Sequence, residues 1–298
     1  MPEPPDATDP DWIFIDCQGH RIACLAHEVE GATRTPVVWV HGLTASARFW
    51  ETSMFPELVE GRSWYSISLP AHAPSTFRKR WKPFRMNEDL LAELLREPIE
   101  QLIPDGRFHL VGHSLGGFAA LNCAAKFPDR VESVVAIGSF LTGRAKGLEK
   151  MLQFFVKGSL IRPVAFFLGY RFLKLHWKIL ALVSLFYANR RFRLLSNPAF
   201  RRTVQSIFPD VKKHPIRQQR LLIRSLIDMD LFDEVEEIRC PVLMVVGMAD
   251  PVIPADHQIE AAGKLKNVTV ARFETSGHLP FGESPEEFVE VLAGWLQS

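Results

Sequence analysis

Several signals that would place this chain in a specialised class of protein are missing from its 298 residues. The four cysteines (Cys17, Cys24, Cys123 and Cys240) form no C-x-x-C pair and no Cys/His metal spacing, so we expect reduced core residues in a reducing compartment. No uncharged apolar run reaches the ~18 residues of a membrane-spanning helix. The N-terminal MPEPPDATDPDW lacks the basic and apolar regions of a secretory signal, and we predict that its first ten or so residues are disordered. These absences favour a cytoplasmic globular protein.

The net charge of +1 is close to zero, but the charges are unevenly distributed. Residues 139–205 contain 13 Lys or Arg and one acidic residue, Glu149, which gives that segment a net charge of +12. The rest of the chain contains 22 basic and 33 acidic residues, a net charge of −11. We therefore expect a basic segment attached to an acidic body.

Short apolar runs and stretches of helical periodicity alternate along most of the chain. The predicted strands are residues 12–16, 21–29, 37–40, 64–69, 108–111, 131–137, 242–246 and 268–273. The predicted helices are residues 85–103, 115–126, 255–265 and 285–296. This alternation is typical of the α/β class, in which a mostly parallel central sheet is flanked by helices on both faces.

The alternation is interrupted once, between residues 140 and 232, where only helical periodicity is present. We predict that this segment is a helical cap (lid), inserted after the sixth strand and placed above the carboxyl edge of the sheet. The α/β core then consists of residues 1–139 and 233–298.

The stretch FHLVGHSLGG, residues 108–117, places a serine between glycines where a predicted strand meets a predicted helix. A sharp turn of this kind strains the backbone of its central residue, and Gly112 and Gly116 flank Ser114 where a side chain would collide. G-x-S-x-G in this context is a nucleophile elbow, which exposes the serine hydroxyl. A dinucleotide site would need glycine at position 114, and the Gly-Lys-Ser/Thr of a phosphate-binding loop is absent.

A serine nucleophile needs a general base and a group that orients the base. Asp250 and His278 are the candidates, because each follows a late predicted strand: Asp250 in VLMVVGMADPVIP and His278 in FETSGHLPFGESPEEF. Asp250 could instead be a turn or helix-capping residue, a role that Asp256 could also fill. His278 could instead be a hydrogen-bonded loop residue.

The oxyanion formed by attack on a carbonyl needs two hydrogen-bond donors. We expect one to be the backbone N–H of Leu115, at the start of the helix that follows the serine. The other should come from the loop after an early strand, where VVWVHGLTASARFW turns at His41-Gly42. The Leu43 amide is the first candidate there, and the Thr44 amide is the alternative.

The chain resembles the α/β-hydrolase fold family, of the serine esterase or lipase type with a helical cap. The resemblance is carried by the HG turn at 41–42, GHSLGG at 112–117, GMAD at 247–250 and SGHLPFGESPEEF at 276–288. It implies that Ser114, Asp250 and His278 form a catalytic triad in the family's usual chain order. It also implies acyl transfer through an acyl-enzyme to water, with no metal or organic cofactor.

The sequence departs from the family at residues 68–75. Many members have Asp-x-Pro-Gly-His-Gly-x-Ser after the fourth strand, whereas this chain has SLPAHAPS. Alanines replacing the glycines put the local loop conformation in doubt, and we predict a structural role for His72. We predict a packing or hydrogen-bonding role for His113, beside the nucleophile.

These observations favour a serine hydrolase that cleaves an apolar carboxylic ester. A thioesterase, a lactonase or a C–C bond hydrolase with the same triad remains open, as does a ligand-binding protein built on the fold.

The segment MLQFFVKGSLIRPVAFFLGYRFLKLHWKILALVSLFYANRRFRLL, residues 151–195, combines Phe, Leu and Ile with basic residues. It could pack on the core with a solvated basic face, rest on an anionic membrane surface, or dock an anionic thioester carrier. We expect no nucleic-acid partner, and a cytoplasmic location that includes peripheral membrane contact if the second alternative holds.

Overall fold

A computed structural model describes residues 12–53, 55–77, 86–144, 147–158 and 161–297. The N-terminal residues predicted to be disordered, and Arg85 at the start of one predicted helix, lie outside these ranges. The strands are β1 Ile13–Cys17, β2 His20–His27, β3 Val37–Val40, β4 Trp64–Ile67, β5 Thr76–Phe77, β6 Phe108–His113, β7 Val131–Ile137, β8 Val242–Gly247 and β9 Val268–Phe273. The helices before the insertion are α1 Arg48–Ser53, α2 Pro56–Val59, α3 Glu88–Leu102 and α4 Leu115–Lys126.

The helices between β7 and β8 are α5 Gly147–Val156, α6 Ile161–Leu173, α7 Trp177–Ser184, α8 Arg191–Ser196, α9 Pro198–Lys213 and α10 Ile216–Leu226. Short 3₁₀ turns lie at Leu185–Tyr187 and Val235–Glu237. The remaining helices are α11 Ala255–Ala262, α12 Pro280–Glu283 and α13 Pro285–Gln297.

The strands form one sheet in the order β1-β2-β4-β3-β6-β7-β8-β9, with β5 paired to β2. From β4 to β9 every neighbouring pair is parallel, whereas β2 pairs antiparallel with β1, β4 and β5. The predicted mostly parallel sheet is therefore confirmed. Because parallel strands end at one edge, the loops after β3, β6, β7, β8 and β9 meet there.

Both faces of the sheet are covered by apolar side chains, as the continuous apolar strands require. Along β8, Val242, Met244 and Val246 belong to one core cluster, whereas Leu243 and Val245 belong to the other. The first cluster includes buried residues of α3, α4 and α11, and the second includes residues of α1, α2 and α13. The four cysteines are buried and free.

The helices α5–α10 form the insertion between β7 and β8. Its two ends are joined by an isolated bridge between Thr142 and Asp230. Among the described helices, no single one is long and apolar enough to cross a membrane; α5 and α6 together pass that test but are bent by 117°. The predicted domain boundaries at 139/140 and 232/233 stay predictions.

Several predicted elements differ from the structure, as three examples show. The two-residue strand β5 was not predicted, so the insertion follows the seventh strand of the chain and not the sixth. The helix α11 ends at Ala262, not at residue 265, since Gly263 is a poor helix residue. The strand β2 ends at His27, two residues early.

The close approach of α4 to β3 gives a test of the fold. A Cβ at Gly116 would overlap the Val40 carbonyl, which is backbone and cannot move aside. Gly116→Ala is therefore expected to lower the free energy of unfolding by about 3 kcal/mol or more, measured by urea denaturation.

Gly294 of α13 is the matched control, because a Cβ there meets no atom within 4 Å. Gly294→Ala is expected to raise stability by about 0.5–1 kcal/mol through helix propensity. Equal effects of the two substitutions would contradict the described packing.

Candidate active site

Ser114 lies between β6 and α4 with φ 54° and ψ −117°, a strained conformation for a residue with a side chain. A Cβ at Gly112 would overlap the Gly116 backbone, and one at Gly117 would lie 2.7 Å from Ser139. The Ser114 N–H donates to Ile137 O at 2.8 Å, which ties the turn to β7. The predicted elbow geometry is therefore present, with Ser114 half-buried.

Asp250 and His278 lie in the loops after β8 and β9 and are joined directly. The Nδ1–H of His278 donates to Asp250 Oδ2 at 2.7 Å, and both side chains are buried. The carboxylate also accepts from Gln258 Nε2 at 2.9 Å on the same oxygen, and from the Val252 and Ile253 amides on Oδ1. Asp250 is thus held by four donors, and Asp256 lies in the first turn of α11, not at its N-cap.

Opposing effects act on the pKa of His278. Burial lowers it, but the negative charge and hydrogen bond of Asp250, with Glu149 and Glu283, raise it above its ordinary value. The net direction favours an imidazole that accepts a proton and holds it beside a carboxylate, which is what a general base must do.

His278 lies next to the elbow that carries Ser114. The Nε2–H of His113 donates to His278 O at 2.9 Å, and the two rings lie 4.7 Å apart. A Cβ at Gly138, after β7, would lie 3.1 Å from His278 Nδ1. Among the described residues, the Ser114 hydroxyl makes no hydrogen bond to His278. In enzymes without bound substrate, the distance between nucleophile and base is often longer than a hydrogen bond.

The loop after β3 lies against Ser114, as the predicted oxyanion site requires. A Cβ at Gly42 would lie 3.3 Å from Ser114 Cβ. The Thr44 N–H already donates to His72 Nε2 at 3.2 Å, whereas, within the described ranges, the Leu43 and Leu115 N–H groups donate to no acceptor. Of the two candidates in this loop, Leu43 is the one whose donor is available.

Three buried histidines hold this loop in place. His41 accepts the Leu69 N–H, His72 accepts the Thr44 N–H, and His214 accepts the Ala73 N–H while facing Ala45 O at 2.9 Å. Burial lowers the pKa of His41 and His72 well below the ordinary value and that of His214 to about 3. The neutral rings connect the loop after β3, the loop after β4 and the insertion, a structural role consistent with the one predicted for His72.

Glu283 organises the loop of His278 and was missed by the sequence analysis. Its Oε1 accepts the Gly277 and Leu279 N–H groups, and its Oε2 accepts those of Asn189 and Arg190 at 2.8 and 2.7 Å. The side chain is fully buried. Its place directly after the apolar residues that follow the histidine was the only sequence signal.

Glu149 is a second residue that the analysis noted only for its charge. Burial raises its pKa to about 7, while His278 lowers and Asp250 raises it, so the carboxyl interacts with both residues. The Leu148 N–H donates to Pro251 O at 2.8 Å, which fixes the start of α5 on the loop that carries Asp250. The only acid of the basic segment therefore interacts electrostatically with two residues of the predicted triad. Among the described residues, no group of three His, Cys, Asp or Glu is arranged to hold a metal ion.

The neutral state of His214 predicts acid-sensitive stability. Its ordinary pKa of 6.5 applies in the unfolded chain, so below pH 6.5 the unfolded state takes up a proton that the folded state does not. Each such group lowers the free energy of unfolding by about 1.4 kcal/mol between pH 7.5 and 5.5.

His214→Gln should have a lower free energy of unfolding than the wild type at pH 7.5. Its free energy of unfolding should fall less than that of the wild type between pH 7.5 and 5.5, measured by urea denaturation at both pH values. Gln219→Leu is the control, because it removes a buried hydrogen bond to Ala71 O in the loop after β4 but no titratable group, and it should show the wild-type loss. Equal losses for all three proteins contradict a neutral His214.

Comparisons with known proteins agree with this fold. The model of the alpha/beta hydrolase fold family matches residues 35–285. A pimeloyl-[acyl-carrier protein] methyl ester esterase of Photobacterium profundum is 23% identical over 92% of this chain and 98% of its own. Probable lysophospholipase BODYGUARD 5 of Arabidopsis thaliana is 30% identical over 44% of this chain and 30% of its own.

Solved structures show the same architecture. The enol-lactonase of Burkholderia xenovorans LB400 superposes with a TM-score of 0.75 at 14% identity, covering 96% of this chain and all of that one. At this identity the likeness concerns the fold alone. Together with the family match over most of the chain, it shows that this protein belongs to the α/β-hydrolase fold family.

Proposed function

We propose that this protein is a serine hydrolase that cleaves an apolar carboxylic ester through an acyl-enzyme on Ser114. The observation that carries the proposal is the buried 2.7 Å hydrogen bond between Asp250 and His278, at the sheet edge where the strained Ser114 turn lies. A carboxylate that orients an imidazole beside a serine elbow is the arrangement that activates a hydroxyl.

The reaction has two half-reactions. His278 Nε2 takes the proton of the Ser114 hydroxyl as the oxygen attacks the ester carbonyl, and Asp250 stabilises the imidazolium. The Leu43 and Leu115 N–H groups bind the oxyanion. The imidazolium returns its proton to the leaving alcohol as the ester C–O bond breaks. His278 then deprotonates a water that attacks the acyl-enzyme, and the imidazolium returns this proton to Ser114 Oγ as the Oγ–acyl bond breaks and the acid leaves.

An apolar substrate is supported by what surrounds the oxyanion loop. Leu43 packs against an apolar cluster supplied by the insertion, with Val156 of α5, Phe166 and Tyr170 of α6, and Ile223 of α10. A charged or strongly polar acyl group placed here would lose its hydration without partners. The names of the matched esterase and lysophospholipase support an ester bond.

The proposal includes where the enzyme works. The partner is a small apolar ester, and the location is the cytoplasm, with peripheral contact of the basic insertion to an anionic membrane surface. That contact is favoured over docking of a thioester carrier by the exposed apolar side chains on the outward face of the insertion.

Replacing the nucleophile tests the mechanism. Ser114→Ala is expected to lower turnover of p-nitrophenyl esters by about 10⁶-fold, because it removes the hydroxyl that forms the proposed acyl-enzyme. It should also abolish labelling by a fluorophosphonate probe, which distinguishes an enzyme from a ligand-binding protein. Ser196→Ala, at an exposed serine of α8, is the control and should retain both.

A loss of less than about tenfold in Ser114→Ala contradicts the assignment. The same assay separates the bond types: esters of rising chain length are compared with a lactone, an acyl thioester and a C–C substrate. Faster turnover of one of these three than of every ester would correct the bond while keeping the triad.

The role of Glu149 predicts a shift in the pH profile. The negative charge of Glu149 raises the pKa of His278, and the base must be neutral to act, so activity is lost as pH falls through that pKa. Glu149→Gln should move the acidic limb of kcat/KM to lower pH. Glu286→Gln, at an exposed acid paired with Arg193, should leave the limb in place. An unmoved limb in Glu149→Gln contradicts the proposed interaction.

A further inference from the structure

The outward face of the insertion is both apolar and basic. Of the fourteen large hydrophobic side chains exposed in the described residues, eleven lie between residues 151 and 195. We call these the cap face: Met151, Phe154, Ile161, Val164, Leu168, Phe172, Leu175, Leu182, Phe186, Phe192 and Leu195. Soluble monomers rarely expose so many large apolar side chains within one segment of the chain without a partner.

The helix α6 is apolar on two opposite sides. Phe166 and Tyr170 are buried in the cluster that packs against Leu43. Ile161, Val164, Leu168 and Phe172, at helical spacing i, i+3, i+7 and i+11, form a stripe that faces away from the protein, with Ile161 82% exposed. A surface helix in water places polar residues on that side. The stripe therefore indicates that the outer side of α6 contacts an apolar environment outside the protein.

Cations border the apolar side chains. Arg162 and Arg171 are exposed on the two flanks of the α6 stripe. The Arg162 guanidinium lies 3.9 Å from the centre of the Phe154 ring, and the Arg191 guanidinium lies 5.4 Å from that of Phe186. Basic groups beside aromatic rings are typical of segments at the boundary between headgroups and acyl chains.

A groove beside the stripe adds further positive charge. It lies between α6 and α10, has a volume of about 860 Å³, and is lined by Phe167, Arg171, Arg217, Arg220 and Leu221 among others. Three guanidinium groups next to apolar side chains fit a phosphate-bearing headgroup whose chains continue into an apolar layer.

The charge of the segment also argues against a second copy of this chain as the occupant. A two-fold dimer places the same patch on both subunits, so it would bring the exposed arginines of one copy against those of the other. A spanning arrangement is disfavoured by the 117° bend between α5 and α6. Helices that lie parallel to the membrane surface, at the boundary between headgroups and acyl chains, are consistent with both observations.

We propose that the cap face docks on the surface of an anionic phospholipid bilayer. Its apolar side chains enter the boundary between headgroups and acyl chains, and its lysines and arginines bind the headgroups. We further infer that the active site takes its ester from this layer, a step that rests on the proposed function.

The docking helices are in direct contact with the active site. The start of α5 is bonded to the loop of Asp250 through Leu148 N–H and Pro251 O. The 3₁₀ turn after α7 accepts the His278 N–H at Tyr187 O, at 2.8 Å. The helices proposed to dock therefore lie directly beside the loops that carry Asp250 and His278.

Flotation with vesicles tests the docking surface. The full chain is mixed with vesicles of phosphatidylcholine, with and without phosphatidylglycerol, at low and high salt. We expect binding that needs the anionic lipid and weakens with salt. Leu168→Ser with Phe172→Ser should lower the vesicle partition coefficient at least about tenfold. Arg162→Gln with Arg171→Gln should lower it at least about fivefold.

Matched controls lie on the α/β core. Phe14→Ser with Val29→Ser removes two exposed apolar side chains, and Arg239→Gln with Lys266→Gln removes two exposed cations. These variants should bind vesicles like the wild type. All of the variants should hydrolyse a short soluble ester at the wild-type rate, which reports their folding.

Three results would overturn the proposal: binding that does not depend on lipid charge or salt, equal loss of binding in the core controls, or a dimer in sedimentation velocity that dissociates in Leu168→Ser with Phe172→Ser.

Ser114→Ala separates the two proposals, because it should bind vesicles fully whether or not the proposed chemistry is correct. Loss of long-chain ester hydrolysis in vesicles, with short-ester rates unchanged in the cap-face variants, is the result expected for delivery from the layer.

Discussion

The approach of the α4 backbone to β3 is the constraint on which the rest of the site depends. Because Gly116 has no side chain, the helix begins directly over the Val40 carbonyl, and the chain must turn within one residue. That residue is Ser114, whose left-handed backbone conformation lifts its hydroxyl to the sheet edge. The same closeness brings Gly42, and with it the Leu43 amide, beside the proposed nucleophile.

Two buried carboxylates near this turn, and the histidines of the neighbouring loops, each make several hydrogen bonds. Asp250 and Glu283 each accept four hydrogen bonds, and the loop histidines stay neutral while bridging backbone groups. Such networks fix side-chain positions because leaving any one group unpaired in the interior is costly. A rigid base beside a strained nucleophile is the arrangement that acyl transfer requires.

The parts of this arrangement that were predictable from sequence are those encoded by neighbouring residues. The parallel strands, the serine turn and the loops of Asp250 and His278 follow from short apolar runs bounded by Gly and Pro. Contacts between distant residues were not predictable. The choice of Leu43 over Thr44 depends on His72, 28 residues away, and the role of Glu283 depends on amides 93 and 94 residues away. A two-residue strand such as β5 has too few residues to show a period.

Glu283 also determines how the insertion can move. One carboxylate oxygen holds the loop of His278, while the other holds the Asn189 and Arg190 amides in the insertion. Swinging the insertion outward as a rigid flap would strip a fully buried anion of half its donors. The part of the insertion next to His278 is therefore attached to the loop that carries the proposed base. Loss of this carboxylate would release the base and this part of the insertion together.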